Sequence, residues 1–286
     1  MPTPTFAADA AADPPGVPTA TLDAAAEAIR SAGLLLVMTG AGMGVDSGLP
    51  DFRGPEGFWR AYPALGARGL RFEEMANPAW FEREPRLAWA FYGDRLNRYR
   101  DTTPHAGTAV LRDWCAQRPH FCFTSNVDGQ LQKAGFDEAQ IYEVHGSIHH
   151  LQQVSGRGEL WSAANTVVEV DPDAFRAVGP LPVCPDTGRP ARPNILMFND
   201  FNWISRRAEA AAARYRETLA AHPGPRVVIE LGAGVDISTV RREAERQGAQ
   251  GTLIRINPRA PEVPRGGLSI ASGAAAALLA IARRLG

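Results

Sequence analysis

Three short stretches of the chain place side chains of usable chemistry at the ends of apolar runs. Leu34-Leu35-Leu36-Val37-Met38 feeds directly into Gly40-Ala41-Gly42-Met43-Gly44-Val45-Asp46-Ser47-Gly48-Leu49-Pro50-Asp51-Phe52-Arg53-Gly54. A buried strand opening on a glycine-rich turn lets main-chain N–H groups close on a phosphate, so this stretch reads as a nucleotide site. Phe121-Cys122-Phe123-Thr124-Ser125-Asn126-Val127-Asp128-Gly129 ends a second apolar run on an amide and a carboxylate, groups that bind hydroxyl and N–H donors directionally. Tyr142-Glu143-Val144-His145-Gly146-Ser147 ends a third on an imidazole, which with an ordinary pKa of about 6.5 accepts a proton at cellular pH. Taken singly, each has a plain structural explanation: Asn-Val-Asp-Gly is good turn chemistry, and a lone histidine at a strand end is ordinarily half-buried and hydrogen-bonded.

The glycine turn does not fit a dinucleotide dehydrogenase. Such an enzyme carries Gly-x-Gly-x-x-Gly and an acidic residue about 20 positions further on, at the end of a second strand. Counted from Gly40 the third glycine falls on Val45, and counted from Gly42 it falls on Ser47. The segment after Gly54 is aromatic and Arg-rich (Phe58, Trp59, Arg60, Tyr62) and offers no second strand. Hydride transfer is disfavoured, whereas binding of a nicotinamide cofactor is not.

The elements that must position these groups alternate along the chain. Thr21 can cap a helix through about Ser31, with Gly33 as its stop. Strand-like runs recur at His120–Thr124, Ile141–Val144, Asn194–Phe198, Arg226–Leu231 and Thr252–Ile256, with helical patterns such as Ser205–Ala221 and Ser238–Gln247 between them. This alternation predicts an α/β fold, a Rossmann-like doubly wound parallel sheet, whose ligands bind at the carboxyl ends of strands. Two stretches break it: residues 55–100 look helical and aromatic, and residues 151–193 are punctuated by Gly and Pro around one short strand, Thr166–Val170. The expected organisation is a tail over 1–20, a sheet domain from 21–54, 101–150 and 194–286, and a smaller inserted module from 55–100 and 151–193.

Bulk properties bound the function. At 286 residues the chain accommodates roughly two domain-sized cores or one α/β domain with an insertion. A net charge of −1 and a pI near 6.6 give no basic footprint for a specific nucleic-acid partner. Lys133 is the only lysine among 30 basic residues, which reads as compositional bias. Cys115, Cys122 and Cys184 cannot pair completely and point to a reducing, cytoplasmic setting; no apolar run approaches membrane-spanning length, and no signal peptide is apparent. Oligomeric state is not legible.

Over most of its length after residue 20 the chain resembles the sirtuin family of NAD-dependent protein deacylases, through the glycine turn with its Pro-Asp-Phe-Arg-Gly tail, then Thr-x-Asn-x-Asp, then His-Gly. The resemblance implies that an acyl-lysine carbonyl oxygen attacks the anomeric carbon of the nicotinamide ribose, giving nicotinamide and O-acyl-ADP-ribose. It implies His145 as general base for a ribose hydroxyl, Asn126 as the contact to the nicotinamide ribose and its water, and Asp128 as the grip on the carboxamide. NAD contacts are implied at Gly40, Ala41, Gly42, Met43, Gly44, Ser47, Pro50, Asp51, Phe52, Arg53, Ser125 and Val127. At the adenosine end they are implied at Gly232, Ala233, Gly234 and Asn257. Arg53 can offer its fork to phosphate or ribose oxygens, and Phe52 can shield the sugar. Gly44 stands where most sirtuins have serine, and Ser125 where they have glutamine.

The partner implied is an acyl-lysine protein or peptide taken by strand addition beside Phe198-Asn199-Asp200, where the family has Phe-Gly-Glu. Asparagine in place of that glycine can narrow the channel. Tyr92 and Arg95, three apart, are similar to the Tyr-x-x-Arg pair of the branch that removes malonyl, succinyl and glutaryl groups; an amphipathic helix explains them equally well. Sirtuins usually hold a structural zinc on two Cys-x-x-Cys pairs, but here Cys184-Pro185-Asp186-Thr187 keeps one cysteine and no cysteine follows His145 before it. No zinc is therefore expected, and Leu160, Trp161, Val167, Val168 and Phe175 are the candidates to hold the module by packing. The same NAD chemistry could serve an ADP-ribosyltransferase or NAD hydrolase, and the same fold a non-catalytic NAD or ADP-ribose sensor, though a sensor has no need of a general base. His105, following Thr103-Pro104 at a helix start, reads as structural.

Overall fold

A computed structural model describes residues 12–51 and 54–286. In chain order the strands are β1 (Leu34–Thr39), β2 (His120–Thr124), β3 (Ile141–Glu143), β4 (Gly146–Gln153), β5 (Trp161–Ser162), β6 (Glu169–Asp171), β7 (Arg176–Val178), β8 (Ala191–Ile195), β9 (Arg226–Leu231), β10 (Gly251–Ile256) and β11 (Leu268–Ile270). Six form one sheet in the order β11-β10-β9-β1-β2-β3, with every pairing parallel. β1 and β9 lie at its centre and are buried at every position, as uninterrupted apolar runs in a sheet covered on both faces must be.

Alternation of side chains along the strands divides this core. Leu35 and Val37 of β1 face helices Thr19–Arg30, Ala106–Ala116 and Ala274–Leu285, together with Ile229 and Ile254. Leu34, Leu36 and Met38 face the opposite way, toward helices Arg206–Ala221 and Thr239–Gly248. The result is the three-layer α/β arrangement that the strand–helix alternation predicts.

A separate apolar core holds the smaller module. Helix Pro85–Asp101 packs Trp89, Phe91, Tyr92 and Leu96 against the antiparallel sheet β5-β4-β8 and the hairpin β6-β7. Of the residues expected to hold this module, Val168 is buried and Trp161 and Phe175 pack against its core, whereas Val167 is 81% exposed. Val168 faces inward onto Gly93, where an added Cβ would lie 2.4 Å from it, so the neighbouring valine must face out.

Several elements differ from the sequence reading, among them the short strand expected over 166–170, which is Glu169–Asp171 with β5 and β7 beside it in the same module. The run expected as a strand over 194–198 pairs instead at Ala191–Ile195, antiparallel to β4, because Gly146, Ser147 and 151–153 take it as their partner. The parallel sheet gains β11, whose three residues are too few to show a period. The expected tail does not reach residue 20: the helix starts at Thr19, Val17 is buried, and Asp13 pairs with Arg284 at 2.6 Å. Residues 1–11 lie outside the described residues. Among the described residues no helix is long and apolar enough to cross a membrane.

Candidate functional site

From β1 the sheet grows through β2 and β3 on one side and through β9, β10 and β11 on the other. The strand order therefore reverses between β1 and β9, where a doubly wound sheet opens a crevice at its carboxyl edge. The glycine turn fills the lip of that crevice as a 3-10 helix, Ala41–Ser47, closed by Gly48 at φ 83°. Its N–H groups at Gly40 and Gly42 donate to Leu231 and Gly232 oxygens, both at 2.9 Å. A Cβ on Gly232, which sits at φ 61°, would lie 2.3 Å from the carbonyl carbon of Gly42, and one on Gly40 would lie 2.7 Å from Cα of Ala233. Both glycines are required by backbone meeting backbone. Gly232→Ala should therefore separate the two turns and weaken NAD binding at least tenfold, measurable by calorimetric titration; unchanged affinity in a folded variant would contradict this packing.

Side chains fasten the turn from behind. Asp46 Oδ2 accepts the N–H of Ala275 at 2.7 Å, capping helix Ala274–Leu285, and Ser47 Oγ accepts the N–H of His105 at 2.9 Å. His105 Nε2 meets the oxygen of Met43 at 3.1 Å, which fits its structural reading. Ser47 thus lines the cavity while its hydroxyl already serves the scaffold. At Gly44, where the resemblance expects serine, a Cβ would come within 3.1 Å of Leu49 Cδ1. Pro50 is half-buried and Asp51 stands 3.6 Å from Arg259; Phe52 and Arg53 lie outside the described residues.

The end of β2 is stitched to the same turn. Thr39 Oγ1 donates to Thr124 Oγ1 at 2.7 Å, the N–H of Ser125 donates to Thr39 O at 3.1 Å, and Asn126 Nδ2 donates to Gly40 O at 3.0 Å. Asp128 Oδ1 accepts the N–H of Gln130 at 2.9 Å, and burial pushes its carboxyl above the usual range. Val127 turns its side chain into the core of the smaller module and its oxygen to the N–H of Ile148, so any contact it offers a ligand is through its main chain.

His145 occupies the junction of β3 and β4. Its ring faces the main chain of Ser125, and its oxygen accepts the N–H of Leu196 at 2.9 Å. Burial lowers its pKa from 6.5, partly offset by the Ser125 contact. Gly146 follows because at φ 79° its Cβ would lie 2.1 Å from Asn194 O: β4 must leave hard against β8.

One cavity is lined by Thr39, Met43, Gly44, Ser47, Asn126 and Asp128. His145 is not among the residues that line it; it faces Ser125, whose N–H donates to the lining Thr39. Gln130 and Glu143 also line it, and His149 Nε2 meets Asp128 O at 2.9 Å; no local sequence pattern marks these three. In the turn after β9 the N–H groups of Ala233 and Gly234 find no partner among the described residues. Asn257 is fully buried and directs its side chain inward, Nδ2 to Ala233 O at 2.9 Å and Oδ1 to the N–H groups of Arg259 and Ala260. It shapes the loop rather than presenting an amide to it.

Phe198 packs edge-on against Phe72 at 6.2 Å, and Asn199 adopts φ 56°, a left-handed conformation free to glycine and tolerated by asparagine. Tyr92 and Arg95 share one helix face, but both are buried, and Arg95 directs Nε and Nη2 to the hydroxyl of Tyr99 at 3.0 and 2.8 Å. The fork that the sequence offers to a substrate carboxylate is occupied along that edge. Cys184 receives hydrogen bonds from the Thr187 hydroxyl and, at 3.6 Å, from Gln153 Nε2; the former chiefly holds its thiol below the ordinary range. Among the described residues no group of three or more His, Cys, Asp or Glu is placed to hold a metal ion.

A model of the Sir2 family matches residues 40–215. An NAD-dependent protein deacylase of Aquifex aeolicus is 28% identical over 228 residues, covering 78% of this chain and 83% of that protein. Another, of Thermus thermophilus, is 29% identical over 262 residues, 88% and 91% of the two chains. The NAD-dependent protein deacylase sirtuin-5, mitochondrial, of Danio rerio is 28% identical over 200 residues, 64% and 62% of the two chains. Among solved structures, a Sir2 homolog in complex with NAD superposes with a TM-score of 0.71 at 22% identity, covering 92% of this chain and 93% of that one, a likeness of fold.

Proposed function

This chain belongs to the Sir2 family, and from that premise we propose that it is an NAD-dependent protein-lysine deacylase releasing nicotinamide and O-acyl-ADP-ribose. The observation that supports the reading is that the ends of β1 and β2 are bonded together at the glycine turn, with Asn126 and Asp128 lining one cavity and His145 next to Ser125. His145 faces Ser125, Ser125 donates to Thr39, and Asn126 donates to Gly40.

Bound NAD supplies an anomeric carbon with nicotinamide as leaving group, which the acyl-lysine oxygen attacks. The chain's own residues orient and move protons around that exchange. Asp128 and its neighbouring N–H groups suit a carboxamide, Asn126 Oδ1 suits a ribose hydroxyl or water, and His145 accepts the hydroxyl proton. The open N–H groups at Ala233 and Gly234 suit the adenosine ribose or pyrophosphate. The parallel sheet is assigned NAD, and the module beside it, with Phe198 at its edge, the acyl-lysine protein. The smaller module is held by its aromatic core and by the hydrogen-bonded Cys184 turn, without zinc. Three buried free cysteines suit a reducing compartment.

Incubation with NAD and acetyl-, malonyl- or succinyl-lysine peptides, with products resolved by mass, tests the reading. O-acyl-ADP-ribose supports it; free ADP-ribose without peptide identifies an NAD hydrolase; bound but unchanged NAD identifies a sensor. The pH profile gives an independent check. Because burial lowers the His145 pKa, the neutral base persists below pH 6.5, and the acid limb of kcat/KM should fall there, with the rate dropping about tenfold per unit beneath it. A limb centred above 6.5 would contradict the assignment.

A further inference from the structure

We propose that Arg95 is a positioning residue for Asp128, fixing the orientation and charge of the carboxylate at the nicotinamide end of the cavity, whichever acyl group the lysine carries. This deepens the reading above and rests on its assignment of Asp128 to the carboxamide.

Arg95 is 7% exposed on helix Pro85–Asp101, and its guanidinium carbon lies 5.2 Å from the ring centre of Phe91, 5.9 Å from that of Tyr92 and 5.4 Å from that of Tyr99. Aromatic faces replace part of a guanidinium's hydration, but a charge so enclosed still needs a counter-charge. Two residues, Tyr99 and Gln130, tie it to the Asp128 carboxylate by hydrogen bonds at either end of each. Arg95 Nε and Nη2 donate to Tyr99 Oη, the main-chain oxygen of Tyr99 accepts from Gln130 Nε2 at 2.9 Å, and the N–H of Gln130 donates to Asp128 Oδ1 at 2.9 Å. The Arg95 charge opposes the upward push of burial on the Asp128 carboxyl.

The other charged or titratable groups around Asp128 are Tyr99 on the same helix, Glu143 on β3 and His149 on β4. Glu143 is paired with Arg207 at 2.6 Å, and the Arg95 charge acts on Asp128. The Nε–Nη2 edge is also the one through which arginine grips a carboxylate side-on, so an acidic acyl group would have to displace Tyr99 from it.

The test uses the full chain and follows exchange of labelled nicotinamide into NAD, with acetyl-lysine and succinyl-lysine peptides. Arg95→Met should raise the KM for nicotinamide about tenfold on both peptides and move the acid limb of exchange up by about one pH unit, the equivalence of a unit and a factor of ten. Arg95→Lys should restore most of the loss, and Tyr99→Phe should reproduce part of it. A defect confined to the succinyl peptide would make Arg95 a reader of the acyl group and overturn the proposal, as would normal exchange in a folded Arg95→Met protein. Should Arg95→Met melt at room temperature, Arg95→Lys and Tyr99→Phe decide on the same criteria. Asp128→Asn separates the two levels. If it leaves exchange intact, the Asp128 assignment itself fails; if it abolishes exchange while Arg95→Met does not, only the present proposal fails.

Discussion

Replacing His145 with alanine is expected to lower deacylation by about 10²–10⁴-fold, the usual worth of a positioned general base, while nicotinamide exchange survives. The asymmetry follows from where the proton moves. Expulsion of nicotinamide requires a held carboxamide and a stabilised sugar, tasks given to Asp128, Asn126 and the glycine turn; only the later ribose hydroxyl needs a base. The substitution is also structurally mild. The main chain at 145 is fixed by the Leu196 N–H, and the turn is set by Gly146, so removing the imidazole costs its contact with Ser125 and leaves the strand junction in place. His145→Asn supplies a further control, because it can keep a contact with Ser125 but cannot take up a proton near neutrality. Equal deacylation rates for that variant and the parent would reduce His145 to a spacer. Parallel loss of exchange and deacylation would place its role before nicotinamide leaves.

How far this site could be read from the chain depended on whether a constraint was local. The glycine turn announces itself because a Cβ on Gly40 or Gly232 would fall under 3 Å from other backbone, a demand that writes glycine into the sequence whatever the ligand. His-Gly carries a similar mark, since the residue after His145 must adopt a positive φ against Asn194 O. Long-range partners leave no such trace. Nothing beside Arg192 says that it is buried, because its counter-ion is Asp200, eight residues later. A charged residue and a proline therefore hid the true start of β8, and the strand was placed three residues too far along. Arg95 illustrates the same limit in reverse: its spacing from Tyr92 suggests a carboxylate site, while the side chain that takes its fork is Tyr99, a full turn further on. Glu143 reaches the cavity only because β2 and β3 pair in parallel, a fact of topology.

The largest stability effect is expected at that Arg192–Asp200 pair. Both side chains are wholly buried, and the guanidinium meets the carboxylate through two bonds of 2.7 and 2.8 Å. Asp200 also accepts the N–H groups of Met197 and Asn202, at 3.3 and 3.1 Å, which closes the turn that carries Phe198 and the left-handed Asn199. Removing one member strands a charge in an apolar interior, a loss of about 3–5 kcal/mol. Arg192→Met should therefore lower Tm by on the order of 10 °C, and Asp200→Leu, which also opens the turn, by at least as much. The double replacement should be more stable than Asp200→Leu alone, because no buried charge is left without a counter-charge. It should nonetheless recover little acyl-peptide binding, since the turn depends on the carboxylate and Leu196 next to it is bonded to His145 O. Thermal melts of the two single variants and the double, set beside KM for an acyl-lysine peptide, separate these two contributions. Additive losses in Tm would show that the pair carries no coupling and that the turn alone accounts for its burial.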